Sequence, residues 1–244
     1  MPYVMETCMA GDTYEVRKYF TYQCHSPGGQ RGKKENPTPE RIKRANNRKA
    51  ETKLRRLMNH NFSDGDYLVR LDFSKDNRPE GSTDMQKEMT NFIRRIKRRY
   101  VQAGYELKYI YVKEIGPKGG RHIHMMMNKC EVDWIRQSWK MGGVHIDLLY
   151  SHGQYGQIAS YFMKYALRTE ETEGKLIGKR FYASRNLIPP PVHKKVINAN
   201  KFREKITVKN GYYLEKDSVV KYINELTGYE YFCYTLHKVK KRGG

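Results

Sequence analysis

Residues 107–127 read Leu107-Lys108-Tyr109-Ile110-Tyr111-Val112-Lys113-Glu114-Ile115, then Gly116-Pro117-Lys118-Gly119-Gly120, then Arg121-His122-Ile123-His124-Met125-Met126-Met127. In the first run Leu107, Tyr109 and Tyr111 alternate with Lys108, Ile110 and Val112, the period of two that a strand imposes. The five residues from Gly116 form a turn, and the second run returns as the partner strand, so the stretch is a β-hairpin. Residues i and i+2 of a strand share a face. His122 and His124 therefore stand side by side, with Ile123 and Met125 directed to the opposite, buried face.

Outward from the hairpin the signals alternate. Before it, residues 83–103 carry Met85, Met89, Phe92, Ile93, Ile96 and Tyr100 at spacings of three and four, an amphipathic helix with Arg94, Arg95, Lys97, Arg98 and Arg99 on its outer face. Residues 67–73 read as a strand, broken by Asp76-Asn77-Arg78-Pro79-Glu80-Gly81. After the hairpin come a short helix at 132–139, a strand at 144–149 and a helix at 155–168, with a break at Ser151 and Gly153. The order β-α-β-β-α-β-α is the ferredoxin-like, split βαβ arrangement plus one helix. The expected class is α+β, an antiparallel sheet with helices on its faces.

The flanks read as appendages. The expected division is a basic N-terminal extension over 1–65 packed on the core, a core over 66–180, and a small α/β extension over 181–244. The first holds a strand at Val16-Arg17-Lys18-Tyr19-Phe20-Thr21-Tyr22, a Gly/Pro/Lys-rich linker at 26–39 and a helix from Thr38 to about Asn59. The last holds an extended Leu187-Ile188-Pro189-Pro190-Pro191 connector, then a strand at 212–214, a helix at 217–226, a strand at 229–236 and a basic tail from His237.

Two sets of side chains carry chemistry. His122 and His124 can share one divalent ion, and Glu114, near the end of the partner strand, can complete a His-His-carboxylate set. Such a set with open positions suits Mg²⁺, Mn²⁺ or another first-row divalent ion. On the last core helix, Tyr161-Phe162-Met163-Lys164-Tyr165 puts Tyr161 and Tyr165 at i and i+4 on one face, with Lys164 three residues from Tyr161. A tyrosine serves as a covalent nucleophile once a nearby cation favours phenolate, and Lys164 or a metal supplies that charge.

Taken in this order, Leu71-Asp72-Phe73-Ser74, His122-Ile123-His124 with its apolar flanks, and Tyr161-Phe162-Met163-Lys164 resemble the motifs of the HUH endonuclease superfamily. The resemblance is to the rolling-circle replication initiators of phages, small plasmids and integrated elements, and it spans about residues 67–170. It implies site-specific nicking and rejoining of single-stranded DNA, in which Tyr161 attacks the scissile phosphate, stays linked to the 5′ phosphate and frees a 3′ hydroxyl. It further implies Glu114, His122 and His124 as ligands of Mg²⁺ or Mn²⁺, and Lys164 as a phosphate-positioning cation. A lysine three residues after Tyr161 is the single-tyrosine pattern. Tyr165 is nevertheless reminiscent of initiators and relaxases in which two tyrosines alternate, so its second covalent role stays open. A transposase or a relaxase of the same superfamily remains an alternative.

Composition agrees with a polyanionic partner. The 244 residues include 47 Lys+Arg and 26 Asp+Glu, a net charge of +21. Residues 31–60 alone hold eleven Lys/Arg against three Asp/Glu. Arg44, Arg48 and Arg55 there, and Arg94, Arg95 and Arg98 on the 83–103 helix, are the expected phosphate contacts, on single-stranded or hairpin origin DNA. Hydrophobic residues at 38% and 20 Tyr exclude a simple disordered basic tail. No stretch reaches a membrane span, residues 1–10 lack the features of a signal peptide, and a cytoplasmic protein of a bacterial host is expected. The four cysteines form no C-x-x-C pair, which leaves Cys24-His25 as a weak metal candidate.

Other functions fit less well. Gly174-Lys175-Leu176-Ile177-Gly178-Lys179-Arg180 has neither the spacing nor the Ser/Thr of a phosphate-binding loop, so no nucleotide cofactor is expected, and unwinding and synthesis fall to a host helicase and polymerase. A histidine-triad hydrolase needs a third histidine where Met126 stands. A two-histidine phosphoesterase needs a second His-x-Thr/Ser, and a cupin needs a glutamate where Asn128-Lys129-Cys130 stand. The non-catalytic alternative is a sheet that stacks single-stranded bases on Tyr109, Tyr111 and Phe73.

Overall fold

The computed structural model describes residues 3–21, 40–150, 154–199, 201–224 and 227–239. Tyr22 at the end of the strand read over 16–22, the linker at 26–39 with Thr38 and Pro39 of the helix read from Thr38, Cys24-His25, the Ser151/Gly153 break and the end of the tail lie outside the described residues. The elements are β1 (Tyr3–Ala10), β2 (Thr13–Phe20), α1 (Glu40–Asn61), β3 (Tyr67–Asp72), α2 (Ser82–Gln102), β4 (Tyr109–Ile115), β5 (Arg121–Met127), α3 (Val132–Ser138), β6 (Val144–Leu148), α4 (Gly156–Thr172), β7 (Tyr182–Ala183), β8 (Val192–Ile197), β9 (Tyr212–Ile223) and β10 (Glu230–Lys238). The protein is α+β, and among the described residues it forms two antiparallel five-stranded sheets. No described helix is long and apolar enough to cross a membrane.

The two compact units are Glu51–Ile188, and Met1–Ala50 together with Pro189–Gly244. The division therefore differs from the one read in the sequence. The N- and C-terminal segments, read as separate appendages, contribute neighbouring strands to one sheet.

The Glu51–Ile188 unit holds the sheet β6-β3-β5-β4-β7. Numbering its first four strands along the chain gives the spatial order 4-1-3-2 of a split βαβ. Alternation sorts its two faces. Val69, Leu71 and Phe73 of the β3 segment, with Ile123 and Met125 of β5, share one core with Met85, Met89, Phe92, Ile96 and Tyr100 of α2. Ile135 of α3 and the adjoining Trp139 close that core. Each large apolar side chain so buried contributes about 1.5–3 kcal/mol, which explains why α2 forms despite five clustered cations on its outer face. Tyr111 and Phe73 belong to this core and Tyr109 packs against it, so these aromatics do not form an open stacking platform. The other face of the sheet carries the polar side chains described below and is overlaid by α4. Thr169 fixes the register of α4: its hydroxyl bonds both to the Lys113 carbonyl, at 2.9 Å, and to the Ile115 amide, at 2.9 Å, of β4.

The second unit orders its strands β8-β1-β2-β10-β9 around Tyr3, Val16, Phe20, Phe202, Phe232, Tyr234 and Leu236. Strands β1 and β8 are additions to the sequence reading. For β1 the signal was the Gly11-Asp12 turn between two apolar-rich runs, with Gly11 at φ 58°, a conformation natural to glycine. The helix expected at 217–226 is a correction: β9 runs through Ile223, paired with β10 from Glu230↔Ile223 to Lys238↔Tyr212. Val219, Val220 and Ile223 mimic helical spacing. An isolated short helix is marginal, however, and β-branched residues with a partner strand alongside favour extension.

One glycine lies against the strand that carries Asp72. Gly142, at φ 153°, passes so close to β3 that a Cβ there would lie 2.4 Å from the Asp72 carbonyl oxygen and 2.6 Å from the Ser74 nitrogen. Backbone cannot yield as a side-chain tip can. Gly142→Ala is expected to cost about 2 kcal/mol in a denaturant titration. An unchanged midpoint would show that β3 has room to move.

Candidate active site

Neighbouring strands of the Glu51–Ile188 unit bring the candidate residues together by register. Glu114 of β4 and Asp72 of β3 both stand opposite His122, from either side of β5, and Arg70 stands opposite His124. Arg70 is also opposite His145 of β6. All these side chains project from the face that α2 does not cover.

The side chains then pair in a way that the spacing did not show. His124 Nε2 lies 2.7 Å from Glu114 Oε2, while His122 Nδ1 lies 2.7 Å from Asp72 Oδ1. The other Asp72 oxygen is 2.9 Å from His145 Nε2, and Arg70 Nε donates to Asp72 at 3.0 Å. The second Glu114 oxygen accepts from Arg168 of α4 at 2.5 Å. Of the expected ligand set, Glu114 and His124 are thus in direct contact, and His122 is held by Asp72. Burial alone would raise both carboxyls. The His122 hydrogen bond and the Arg70 charge outweigh it at Asp72, as do the His124 and Arg168 interactions at Glu114, so both carboxyls fall below their ordinary values.

Two imidazoles and a carboxylate on one sheet face match the preferences of divalent ions. His122 also has one nitrogen on Asp72, a carboxylate outside the set, the pairing that fixes the tautomer and ring orientation of a metal-ligating histidine. Among the described residues, no three His, Cys, Asp or Glu side chains converge on a single point. The fit therefore rests on residue type and shared face.

Helix α4 brings the phenols. The Tyr165 ring lies face-on against the His124 ring, with centroids 3.9 Å apart and planes 12° apart. Tyr161, one turn earlier, has its centroid 6.4 Å from that of Tyr165 and is 56% exposed. Lys164 is exposed on the same helix. Burial first, then the Glu114 charge, raise the Tyr165 phenol above its ordinary value, against an opposing Arg168 charge. Tyr165 is thus the packed phenol and Tyr161 the accessible one.

Arg168, Asp72, Arg70 and His145 were not among the expected site residues. Arg168 was within reach of helical arithmetic, at i+7 from Tyr161 and i+3 from Tyr165. Asp72 and His145 needed the 4-1-3-2 strand order, because only that order sets β3 between β5 and β6. Of the expected DNA contacts, Arg94 and Arg98 are exposed on α2, whereas Arg95 donates to the Ser138 carbonyl at 2.7 Å and ties α2 to α3. Arg44 and Arg48 are exposed on α1, with Arg48 over the Tyr222 ring at 6.0 Å, while Arg55 is half-buried.

The turn shapes the site as well. A Cβ on Gly120 would lie 2.9 Å from His122 Nε2. Gly120→Ala is expected to leave stability within about 0.5 kcal/mol while tilting the His122 ring away from Asp72. Histidine NMR would report the tilt as a changed His122 environment beside an unchanged His124.

No curated protein and no solved structure matches the chain. Residues 66–170 match the model of a family described as replication-associated protein ORF2/G2P. The matched segment covers under half of the chain and contains β3 through most of α4, so the part of this protein that carries the candidate active site is similar to replication-associated proteins.

Proposed function

We propose that this protein initiates DNA replication by nicking a single strand at a specific site, with Tyr161 as the nucleophile. The observation that carries the reading is the placement of α4: it sets a row of Tyr161, Tyr165 and Arg168 against the His122/His124 face of the sheet. The family match supports the replication role.

The chemistry is a transesterification. The Tyr161 oxygen attacks the scissile phosphorus and loses its phenolic proton to solvent. The bond from phosphorus to the 3′ oxygen breaks, and that oxygen takes up a proton as the 3′ hydroxyl. The strand remains joined through a 5′-phosphotyrosine, so one phosphoester replaces another and rejoining needs no energy source. Lys164 and Arg168 supply cations for the charge that develops on the phosphate. Tyr165, held flat on His124, keeps that imidazole in place and walls the site. His122, His124 and Glu114 would hold an Mg²⁺ or Mn²⁺ ion, which when bound polarises the phosphate oxygens as a Lewis acid. The freed 3′ hydroxyl suits extension by a host polymerase, with a host helicase opening the duplex.

The test is incubation of the protein with Mn²⁺ and a pool of random single-stranded DNA, followed by sequencing of whatever becomes covalently attached. The expected result is a common sequence ending at the 5′ phosphate on Tyr161. Binding without any covalent product would replace this reading with a non-catalytic nucleic-acid protein.

A further inference from the structure

The basic stripe on α2 and the candidate active site lie on opposite sides of one sheet. Helix α2 packs through Met85, Met89, Phe92 and Ile96 onto the face built from Val69, Leu71, Ile123 and Met125. His122, His124 and Asp72 leave the same strands on the other face. The sheet and a helix about 10 Å across therefore separate the outer surface of α2 from the phenols of α4.

On that outer surface Arg94, Lys97 and Arg98 are all exposed. They are spaced at i, i+3 and i+4, where like charges repel one another and weaken the helix. No acidic residue occurs between Met89 and Tyr105 to offset them. The two other cations of the run are engaged elsewhere: Arg95 donates to the Ser138 carbonyl at 2.7 Å and Arg99 to Gln137 at 3.1 Å. Arg94 donates to Asn91 of its own helix at 3.2 Å without leaving the surface, so Arg94, Lys97 and Arg98 share one exposed helix face turned outward. The one aromatic between Arg94 and Gln102, Tyr100, is fully buried and makes no stacking platform for unpaired bases.

We infer that Arg94, Lys97 and Arg98 form a second DNA-binding site, one that grips the phosphate backbone of duplex DNA on the side of the fold opposite the nick. Fixed cations without stacking aromatics recognise a regularly spaced backbone and read no sequence. The duplex it takes is the double-stranded part of the substrate that flanks the nicked strand. The choice of DNA rests on the replication-initiator reading; the existence of a polyanion site on α2 does not.

The experiment uses the full chain carrying Tyr161→Phe, so that no nicking interferes. Binding to a blunt 20-base-pair DNA duplex is followed by fluorescence anisotropy over a salt series, with and without Arg94→Gln, Lys97→Gln and Arg98→Gln together. The expected result is a log–log salt slope shallower by about 3 and a duplex affinity about tenfold lower at fixed salt. The affinity for a ten-nucleotide single strand falls much less. An unchanged duplex slope overturns the proposal. An equal loss on the single strand overturns the duplex assignment, and tighter binding of an RNA duplex than of the DNA duplex overturns the choice of DNA. A protein that shows the expected slope change but forms no covalent adduct in its Tyr161 form would refute the nicking reading and leave this site standing.

Discussion

Tyr161→Phe is expected to abolish covalent attachment to single-stranded DNA, with adduct formation falling by at least about 10³-fold. The substitution removes one oxygen from a ring that is 56% exposed, so stability should stay within about 0.5 kcal/mol of the parent protein and DNA affinity should hardly change. The companion variant, Tyr165→Phe, separates the two phenols. Tyr165 contributes a ring stacked at 3.9 Å on His124, and phenylalanine keeps that stack, so this variant should retain most of the activity. Gel analysis of the protein–DNA adduct under denaturing conditions reads both. An adduct that persists in Tyr161→Phe and disappears in Tyr165→Phe reverses the assignment and makes the packed phenol the nucleophile.

His124→Ala is expected to produce the second large loss. It removes a candidate metal ligand, the 2.7 Å partner of Glu114 and the surface on which Tyr165 rests. Cleavage should fall by roughly 10²–10³-fold, the usual cost of removing a group that stabilises developing charge. Calorimetric titration should show weakened Mn²⁺ binding. The fold should survive with a loss of about 1–2 kcal/mol, since Arg168 continues to neutralise Glu114. Glu114→Gln should have a smaller effect in the same direction, because the amide keeps an oxygen for Arg168 or for a metal. Metal affinity that is unchanged in His122→Ala, His124→Ala and Glu114→Gln alike would move the metal site elsewhere. Cleavage that survives without added divalent ion would leave Arg168 and Lys164 as the charges that matter.

The residues themselves carried the central fold. The period-two pattern of 107–112 and the turn at Gly116–Gly120 made 107–127 a hairpin, and the spacing of Met85, Met89, Phe92, Ile96 and Tyr100 made α2 a helix. Both signals are local, since one buried face imposes a period on its own strand or helix. The His-x-His pair and the Tyr161–Lys164 spacing were legible for the same reason. The flanks were not, because a strand such as β1 is specified by partners far away in the chain: Tyr3 pairs with Phe20 on one side and with Ile197 on the other. Residues 217–223 show the same limit, as their apolar spacing fits either period and only the ladder with β10 made them a strand. Within the candidate site, the residue types were set by the sequence, but their pairing was set by strand order. Glu114 and Asp72 flank the same histidine in register, and side-chain reach then gave His124 to Glu114 and His122 to Asp72. Arg168 meets Glu114 from a helix that Thr169 bonds to β4, a contact between residues more than 50 positions apart. Local periodicity thus determined which elements exist and which residues face outward, whereas contacts between residues distant in the chain decided which of those side chains meet.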